Sequence, residues 1–198
     1  MKKYPFWSLV ALLAILCISC YEKSHQATSK LPYFQEASYT PHWFSDPDEI
    51  PSGFHQIGEF SLTNQAGKTV TEKEMTGKLT VVDFFFTSCP GICPKMTRNM
   101  TLVQEAFQSD NEVMILSYSV TPEQDSVQVL QRYAKGNGVI DGKWHLLTGP
   151  RKKIYDLGRN AYFIEEDLGL FKKADDFIHT ETLYSLMRTG ISEEFTMG

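Results

Sequence analysis

The feature that most constrains this chain is an apolar segment that ends in two cysteines, LTVVDFFFTSCPGIC, which begins at Leu79. Residues 79–86 are nearly all apolar and β-prone, which is typical of a parallel strand covered on both faces. In parallel sheets, ligand chemistry gathers beyond the carboxyl ends of the strands. The sequence therefore places Cys89 and Cys93 where chemistry is expected, and the alternative is that both are ordinary small core residues.

The segments around this strand alternate between strand and helix patterns. Apolar residues recur at three-to-four spacing after Pro94, so a helix is predicted there, and residues 112–120 form a second buried strand pattern. Thr121 and Gln124, with Pro122 between them, form a capping-box pattern that predicts the next helix start. The segment GEFSLTNQAGKTVT predicts a hairpin before the first strand. This order predicts an α/β domain with parallel central strands.

Cys89 and Cys93 lie four residues apart at the predicted start of a helix. If the turn is helical, this spacing places both sulfurs on one face, and a helix N-terminus lowers the pKa of a thiol. Two convergent thiolates can form a disulfide or bind a soft metal. A structural staple is disfavoured because a bridge across so short a loop removes little chain entropy.

The N-terminal residues predict export from the cytoplasm. Two lysines precede an apolar stretch over residues 6–19, which is the layout of a secretory signal. Small Ser19 before Cys20 resembles a bacterial lipoprotein signal, so lipidation is expected at Cys20, although Cys17 departs from the residue such signals usually carry. An uncleaved membrane anchor and simple secretion are the alternatives. All three place the domain outside the cytoplasm.

These patterns divide the chain into a signal peptide over residues 1–19, a tether over residues 20–55 and a domain over residues 56–198. The tether mixes Ser, Thr and Pro with scattered aromatic residues and has no clear period. Of the four cysteines, only the pair at the strand end belongs to the domain, so a disulfide scaffold is not expected. A net charge of −5 without a basic cluster in the domain argues against nucleic-acid binding.

Two thiolates make an incomplete metal site, and the five histidines are the candidates for a third ligand. His25 and His42 lie in the predicted tether, and His55 borders it. His145 lies inside the strand pattern WHLLT, where a structural role is favoured. His179 differs because it enters the apolar run FIHTETLYSL after an acidic loop, so it could supply an imidazole nitrogen.

Several motifs together resemble the Sco/SenC family across residues 58–180: the hairpin, VVDFFFTSCPGICPKM, SVTPEQD, WHLLTG and DDFIHT. The resemblance implies a thioredoxin-like fold, in which a central mixed sheet is flanked by helices and preceded by an N-terminal hairpin. It also implies that Cys89 and Cys93 are thiolate copper ligands and that His179 is the imidazole ligand.

The same resemblance implies a function. It is that of a metallochaperone that delivers copper to the copper centre of cytochrome c oxidase. Together with the N-terminal signal, this predicts an extracytoplasmic protein that is anchored to the membrane by lipid. The expected metal is copper, as Cu(I) or Cu(II), because two sulfurs and one nitrogen suit copper better than zinc. The implied partners are the copper-carrying subunit of the oxidase and a thiol reductase. Thr121 stands where many members carry Asp, whereas Asp125 matches the second acidic position.

Two other activities use the same cysteines. A thiol-disulfide oxidoreductase would use Cys89 as the attacking thiolate and Cys93 as the resolving thiol, although the motif is one residue longer than CxxC. A thiol peroxidase needs an activating arginine, and Arg98 is the only nearby candidate. Met96 and Met100 have helical spacing, which is more typical of core residues than of extra copper ligands.

The resemblance stops near Thr180, where family members continue with a strand, an acidic glycine turn, another strand and a helix. In a shifted reading frame, the codons of residues 183–198 can encode such a strand, turn and strand. We therefore expect that a frameshift after about Thr182 has replaced the end of the domain, so that its C-terminal strand and helix are missing. A naturally divergent tail is the alternative.

Overall fold

The computed structural model describes residues 32–91 and 93–164, together with the backbone of residues 184–186. The strands in these residues are β1 (Tyr33–Phe34), β2 (Pro41–His42), β3 (Ser61–Asn64), β4 (Thr69–Thr71), β5 (Leu79–Phe85), β6 (Val113–Ser119), β7 (Trp144–Thr148) and β8 (Tyr184–Leu186). The α-helices are α1 (Cys93–Ala106), α2 (Val127–Gly136) and α3 (Arg151–Asp156), and α3 continues into a π-helical turn, Leu157–Ala161. Within the same residues, no helix is long and apolar enough to cross a membrane.

A six-stranded sheet organises the domain, with the strand order β4-β3-β7-β6-β5-β8. The three central strands are parallel: β6 pairs with β5 on one side and with β7 on the other. β3 is antiparallel to both β4 and β7, and β8 is antiparallel to β5. The structure thus confirms the predicted fold class, an α/β domain with a mixed sheet, and the predicted hairpin is β3–β4.

The continuous apolar run of β5 is explained by burial on both of its faces. Val82 and Phe84 join the core cluster that contains α3. Val81 and Phe85 join the opposite cluster, which contains side chains of α1 and α2. Each large apolar side chain buried in this way stabilises the fold by about 1.5–3 kcal/mol. The two layers of helices therefore hold β5, and with it the loop that follows, in a fixed place.

Helix α2 begins at Val127, where the Ser126 side chain caps it by accepting from the backbone N–H of Val129 at 3.4 Å. The predicted start at Pro122 is therefore wrong. The hydroxyl of Thr121 does not cap a helix but donates to the Asp125 carboxylate at 3.1 Å. A carboxylate is a stronger acceptor than a neutral group. Asp125 is itself held by Thr87, 38 residues earlier in the chain, so the Thr121 hydroxyl joins this network and does not cap a helix.

The structure describes residues 32–55 of the predicted tether, and they pack as part of the domain. β1 and β2 form a short antiparallel pair. Phe54 is buried and meets the ring of Tyr33 edge-on, with ring centroids 6.3 Å apart. His55 Nε2 lies 2.9 Å from the carbonyl oxygen of Ala161. Aromatic packing of this kind needs no period, so the sequence pattern did not reveal it. Residues 20–31 lie outside the described residues.

Only one part of the expected C-terminal change falls within the described residues, at 184–186. The backbone of β8 pairs with β5, opposite Thr80, Val81 and Val82. The edge of β5 is therefore covered over three residues, where a strand is expected to be missing. Backbone hydrogen bonds form with almost any side chains, which explains the difference. The expected absence of the helix concerns residues outside those described.

Gly149 follows β7 at a close approach to the hairpin, and Gly149→Ala should lower the free energy of unfolding by about 1–3 kcal/mol. A Cβ atom at this position would lie 2.6 Å from Cδ2 of Leu62. The Leu62 side chain is 2% exposed, so its Cδ2 atom must shift within the core to make room. Chemical denaturation measures the loss.

Gly58→Ala is the matched control. A Cβ atom at Gly58 would meet no other atom within 4 Å, so we expect a change of less than about 0.5 kcal/mol. Equal losses in the two variants would contradict the close approach.

Candidate metal centre

The two cysteines lie between the end of β5 and the first residue of α1. We call residues 86–91 the cysteine loop; it contains Cys89, and Cys93 is the first residue of α1. The backbone N–H of Cys89 donates to the carbonyl oxygen of Phe86 at 3.3 Å, which turns the chain sharply after the strand. Cys93 is buried, at 5% exposure, whereas Cys89 is partly exposed.

The structure brings the two thiols together, as their spacing predicts. A side-chain hydrogen bond joins Cys89 to Cys93, and neither residue is in a disulfide. The pair therefore forms a reduced dithiol with one sulfur facing the core and the other nearer the surface. Such a pair can close into a disulfide or bind one soft metal ion between its sulfurs.

The acidity of Cys93 differs from the sequence-based expectation. Burial, followed by the hydrogen bond with Cys89, raises the pKa of Cys93 to about 12, although a backbone hydrogen bond at Phe86 acts in the opposite direction. The negative charges of Cys89 and Asp83 add to the rise. The expected thiolate at the helix N-terminus is therefore wrong for Cys93, because desolvation outweighs the helix dipole. A metal that binds this sulfur must displace its proton.

Helices α1 and α2 close around the inner side of the dithiol. The Tyr133 hydroxyl on α2 lies 2.8 Å from Thr97 Oγ1 on α1. The Tyr133 ring packs on Phe85, with centroids 5.5 Å apart. Burial raises the pKa of Tyr133, and the charges of Cys93 and Asp83 raise it further. The aromatic rings of Phe85 and Tyr133 therefore pack in the same cluster as the two cysteines, and this weakly polar surrounding favours neutral groups.

Asp83 is a carboxyl group on β5 that the sequence reasoning missed. It is 2% exposed and accepts a hydrogen bond from Ser117 Oγ, which itself accepts from Trp144 Nε1 at 2.8 Å. Burial raises the pKa of Asp83 from 3.8 to about 7, although the Ser117 hydrogen bond lowers it. The signal in the sequence was an acidic residue inside the otherwise apolar run LTVVDFFF.

Asp125 is a second buried carboxylate near the site. It is 1% exposed and accepts hydrogen bonds from Thr87 of the cysteine loop and from Ser119 at the end of β6. The resemblance pointed to this position without assigning it a partner. The structure shows that it joins the loop to the neighbouring strand.

The remaining candidates divide between core and surface. Met96 and Met100 are buried, at 5% and 0% exposure, which confirms their prediction as core residues. His145 Nδ1 lies 3.0 Å from Asn64 Nδ2, a partner consistent with the predicted structural role. Arg98 is exposed on α1, and helical geometry places it roughly 140° around the axis from Cys93.

His179, the predicted third ligand, lies outside the described residues. Within the residues that the structure does describe, no three His, Cys, Asp or Glu side chains form a group that could hold a metal ion. The observed site is therefore the dithiol, with two sulfur donors.

A mixed sheet whose central strand leads through a paired dithiol into a helix defines a thioredoxin-like dithiol domain. The model of the SCO1/SenC family matches residues 49–192, and the chain belongs to this family. Among curated relatives, the SCO1 protein homolog of Bacillus subtilis is 36% identical over 96 residues, which cover 48% of this chain and 50% of that protein. The chain thus matches about half the length of this relative.

Solved structures of the family share the fold. A SCO1/SenC family lipoprotein from Bacillus anthracis is 28% identical, with a TM-score of 0.62 over 72% of this chain and 84% of that one. The copper-bound ScoI of Bradyrhizobium japonicum is 28% identical, with a TM-score of 0.55 over 71% of this chain and 87% of that one. BsSco, a Sco family cytochrome c oxidase assembly protein with a disulfide switch, is 27% identical, with a TM-score of 0.58 over 71% and 81%.

Asp83→Asn should stabilise the reduced protein at neutral pH and do so less as the pH falls. The pKa of Asp83 is about 7 in the folded state, above its ordinary value of 3.8. Its contribution to stability is therefore fully present below pH 3.8 and is lost as the pH rises through 7. Asparagine stays neutral and keeps an acceptor for Ser117, so its advantage should approach about 4 kcal/mol at most above pH 7.

Denaturant unfolding of both proteins between pH 4 and pH 8 measures this difference. If the free energies of unfolding of the two proteins differed by the same amount at every pH in this range, the pKa of Asp83 would not be raised in the folded state.

Proposed function

We propose that this protein is an extracytoplasmic copper metallochaperone that delivers copper to the copper centre of cytochrome c oxidase. The observation that carries the proposal is the hydrogen-bonded, reduced dithiol of Cys89 and Cys93 at the start of α1. Family membership supports it, because relatives have been solved with copper bound and BsSco belongs to the cytochrome c oxidase assembly proteins.

The donor set favours copper over other metals. Thiolates are soft ligands and stabilise Cu(I), which accepts low coordination numbers. Structural zinc almost always has four ligands, and the described residues offer two. The proposed third donor is His179, as the resemblance implies. Its imidazole nitrogen would allow the site to hold Cu(II) as well as Cu(I).

Proton release accompanies copper loading in this proposal. Cys93 has a pKa of about 12, so at neutral pH its sulfur carries a proton until the metal displaces it. Copper affinity should therefore rise with pH, because protons compete with the metal for the same sulfur. The buried setting that disfavours a bare thiolate accepts a sulfur whose charge is neutralised by a bound cation.

The proposed partners follow from the same role. The copper acceptor is the copper-carrying subunit of cytochrome c oxidase. A thiol reductase keeps Cys89 and Cys93 reduced, because a disulfide cannot bind the metal. Lipidation at Cys20 anchors the protein to the membrane, with the domain outside the cytoplasm. The SCO1/SenC family lipoprotein of Bacillus anthracis supports this arrangement.

The copper site predicts a specific pattern of loss on substitution. In the reduced full-length chain, Cys89→Ser and Cys93→Ser should each abolish stoichiometric copper binding, because one thiolate cannot hold the ion. His179→Ala should weaken binding by about tenfold or more. Anaerobic copper titration, followed by spectroscopy of the bound ion, measures both effects.

His145→Ala is the matched control, because it removes an imidazole that already has Asn64 as its partner. We expect this variant to bind copper like the wild type. Wild-type affinity in His179→Ala would reduce the site to the dithiol alone, and failure of the wild-type protein to bind copper would exclude the metallochaperone.

A thiol-disulfide oxidoreductase is the second candidate, and one observation favours it. The partly exposed Cys89 is placed to attack a disulfide, and the buried Cys93 to resolve the mixed disulfide. The disulfide switch of BsSco shows that a relative uses thiol redox chemistry. Catalytic turnover of disulfide substrates that survives in His179→Ala and is lost in Cys89→Ser would identify this activity.

The anchor gives a separate prediction. Labelled palmitate should be incorporated into the wild-type protein in bacterial cells and should be absent from Cys20→Ser. Cys17→Ser is the control and should keep the label. A mature, unlabelled protein that begins at another residue would contradict the anchor while leaving export intact.

A further inference from the structure

The buried carboxylate of Asp125 accepts hydrogen bonds from Thr87, the second residue of the cysteine loop. Asp125 Oδ1 accepts a hydrogen bond from Thr87 Oγ1 at 2.5 Å. Asp125 Oδ2 accepts one from the backbone N–H of Thr87 at 3.2 Å. Both the side chain and the backbone of Thr87 are therefore bound, so this residue cannot turn without breaking a contact. Thr87 lies two residues before Cys89.

The same carboxylate is fixed from the opposite side. Ser119 Oγ, at the end of β6, donates to Asp125 Oδ2 at 2.6 Å, and Thr121 Oγ1 donates to the same oxygen at 3.1 Å. The backbone N–H of Thr121 donates to Ser119 Oγ at 3.2 Å, and the backbone N–H of Asp125 donates to the carbonyl oxygen of Thr121 at 2.9 Å. These bonds tie the loop, the strand end and the turn before α2 into one network.

Within the described residues, the Asp125 carboxylate is stabilised by hydrogen bonds. The ion pairs of the described residues, Arg151–Glu123 and Lys152–Asp156, do not include it. A buried carboxylate is costly unless its oxygens are satisfied, and four donors satisfy these. Hydrogen bonds to a carboxylate are shorter and stronger than those between neutral groups. A carboxylate placed at this junction is therefore a strong and directional clamp on the loop.

We propose that Asp125 is a positioning residue for the dithiol: through Thr87 it holds the cysteine loop against the end of β6 and keeps Cys89 within reach of Cys93. This inference rests on the proposed function in one respect: the dithiol that Asp125 positions is the proposed copper site. The same positioning controls disulfide formation, because closing the bond requires the two sulfurs to be held together. Thr121 belongs to the network but not to the loop.

Two Thr→Val substitutions of equal size separate positioning from general stability. Thr87→Val and Thr121→Val each remove one hydroxyl donor to Asp125. In the full-length chain, the dithiol is equilibrated with oxidised dithiothreitol. Cys89 and Cys93 lose two electrons and two protons as their disulfide forms, and the reagent takes them up. We expect Thr87→Val to change this equilibrium constant by about tenfold against the protein disulfide, and Thr121→Val to change it by less than about twofold.

Cu(I) affinity is the second readout, measured by competition with bathocuproine disulfonate. The same ranking is expected, and Asp125→Asn should weaken binding at least as much as Thr87→Val, because an amide nitrogen cannot accept hydrogen bonds. Denaturant unfolding should show similar losses of stability in the two threonine variants. If Asp125 had only a structural role, the equilibrium constant, the Cu(I) affinity and the stability would therefore change by the same amount in both threonine variants.

The outcomes separate this inference from the proposed function. If the wild type does not bind copper but Thr87→Val alone shifts the dithiothreitol equilibrium, the metallochaperone fails and the positioning role stands. Equal shifts in the two threonine variants, or no shift in either, overturn the positioning role whether or not copper binds.

Discussion

The parallel pairing of β5 with β6 is the interaction on which the rest of the structure depends. The two strands pair along their whole length, from Leu79 opposite Val113 to Phe85 opposite Ser119. A parallel ladder brings both carboxyl ends to the same edge of the sheet, so the cysteine loop and the end of β6 leave it side by side. Because the strands are buried on both faces, this edge cannot shift relative to the helices. The dithiol and its carboxylate neighbours are assembled at that edge.

Burial decides the chemistry of the site more than charge does. Cys93 and Asp83 both have raised pKa values because the ionised form of each would lose its water, and the charge of Asp83 raises the pKa of Cys93 further. Both shifts oppose the build-up of negative charge in the reduced site. A bound soft cation would relieve this constraint, because its positive charge offsets the negative charge of the thiolates. Metal loading and proton release are two sides of one electrostatic constraint.

Local patterns predicted those features whose partners are nearby in sequence. The apolar run predicted β5, the turn signals predicted the β3–β4 hairpin, and the cysteine spacing predicted the thiol pair. Patterns failed where the partner is distant, as with Asp83 and Ser117, which are 34 residues apart. The aromatic packing of Phe54 with Tyr33 has no period to detect. The pKa of Cys93 required knowledge of how deeply the side chain is buried, which spacing alone does not contain.

The unequal depth of the two thiols gives the site a direction. Cys89 is partly exposed and Cys93 is buried beneath the start of α1, so a molecule that approaches from solvent reaches the sulfur of Cys89 first. If the dithiol held a soft metal ion, Cys89 would be the ligand that a competing donor could replace, and Cys93 would be the ligand shielded from exchange. The exposed thiol would then set how quickly the site exchanges with its surroundings, and the buried thiol how firmly it retains what it holds.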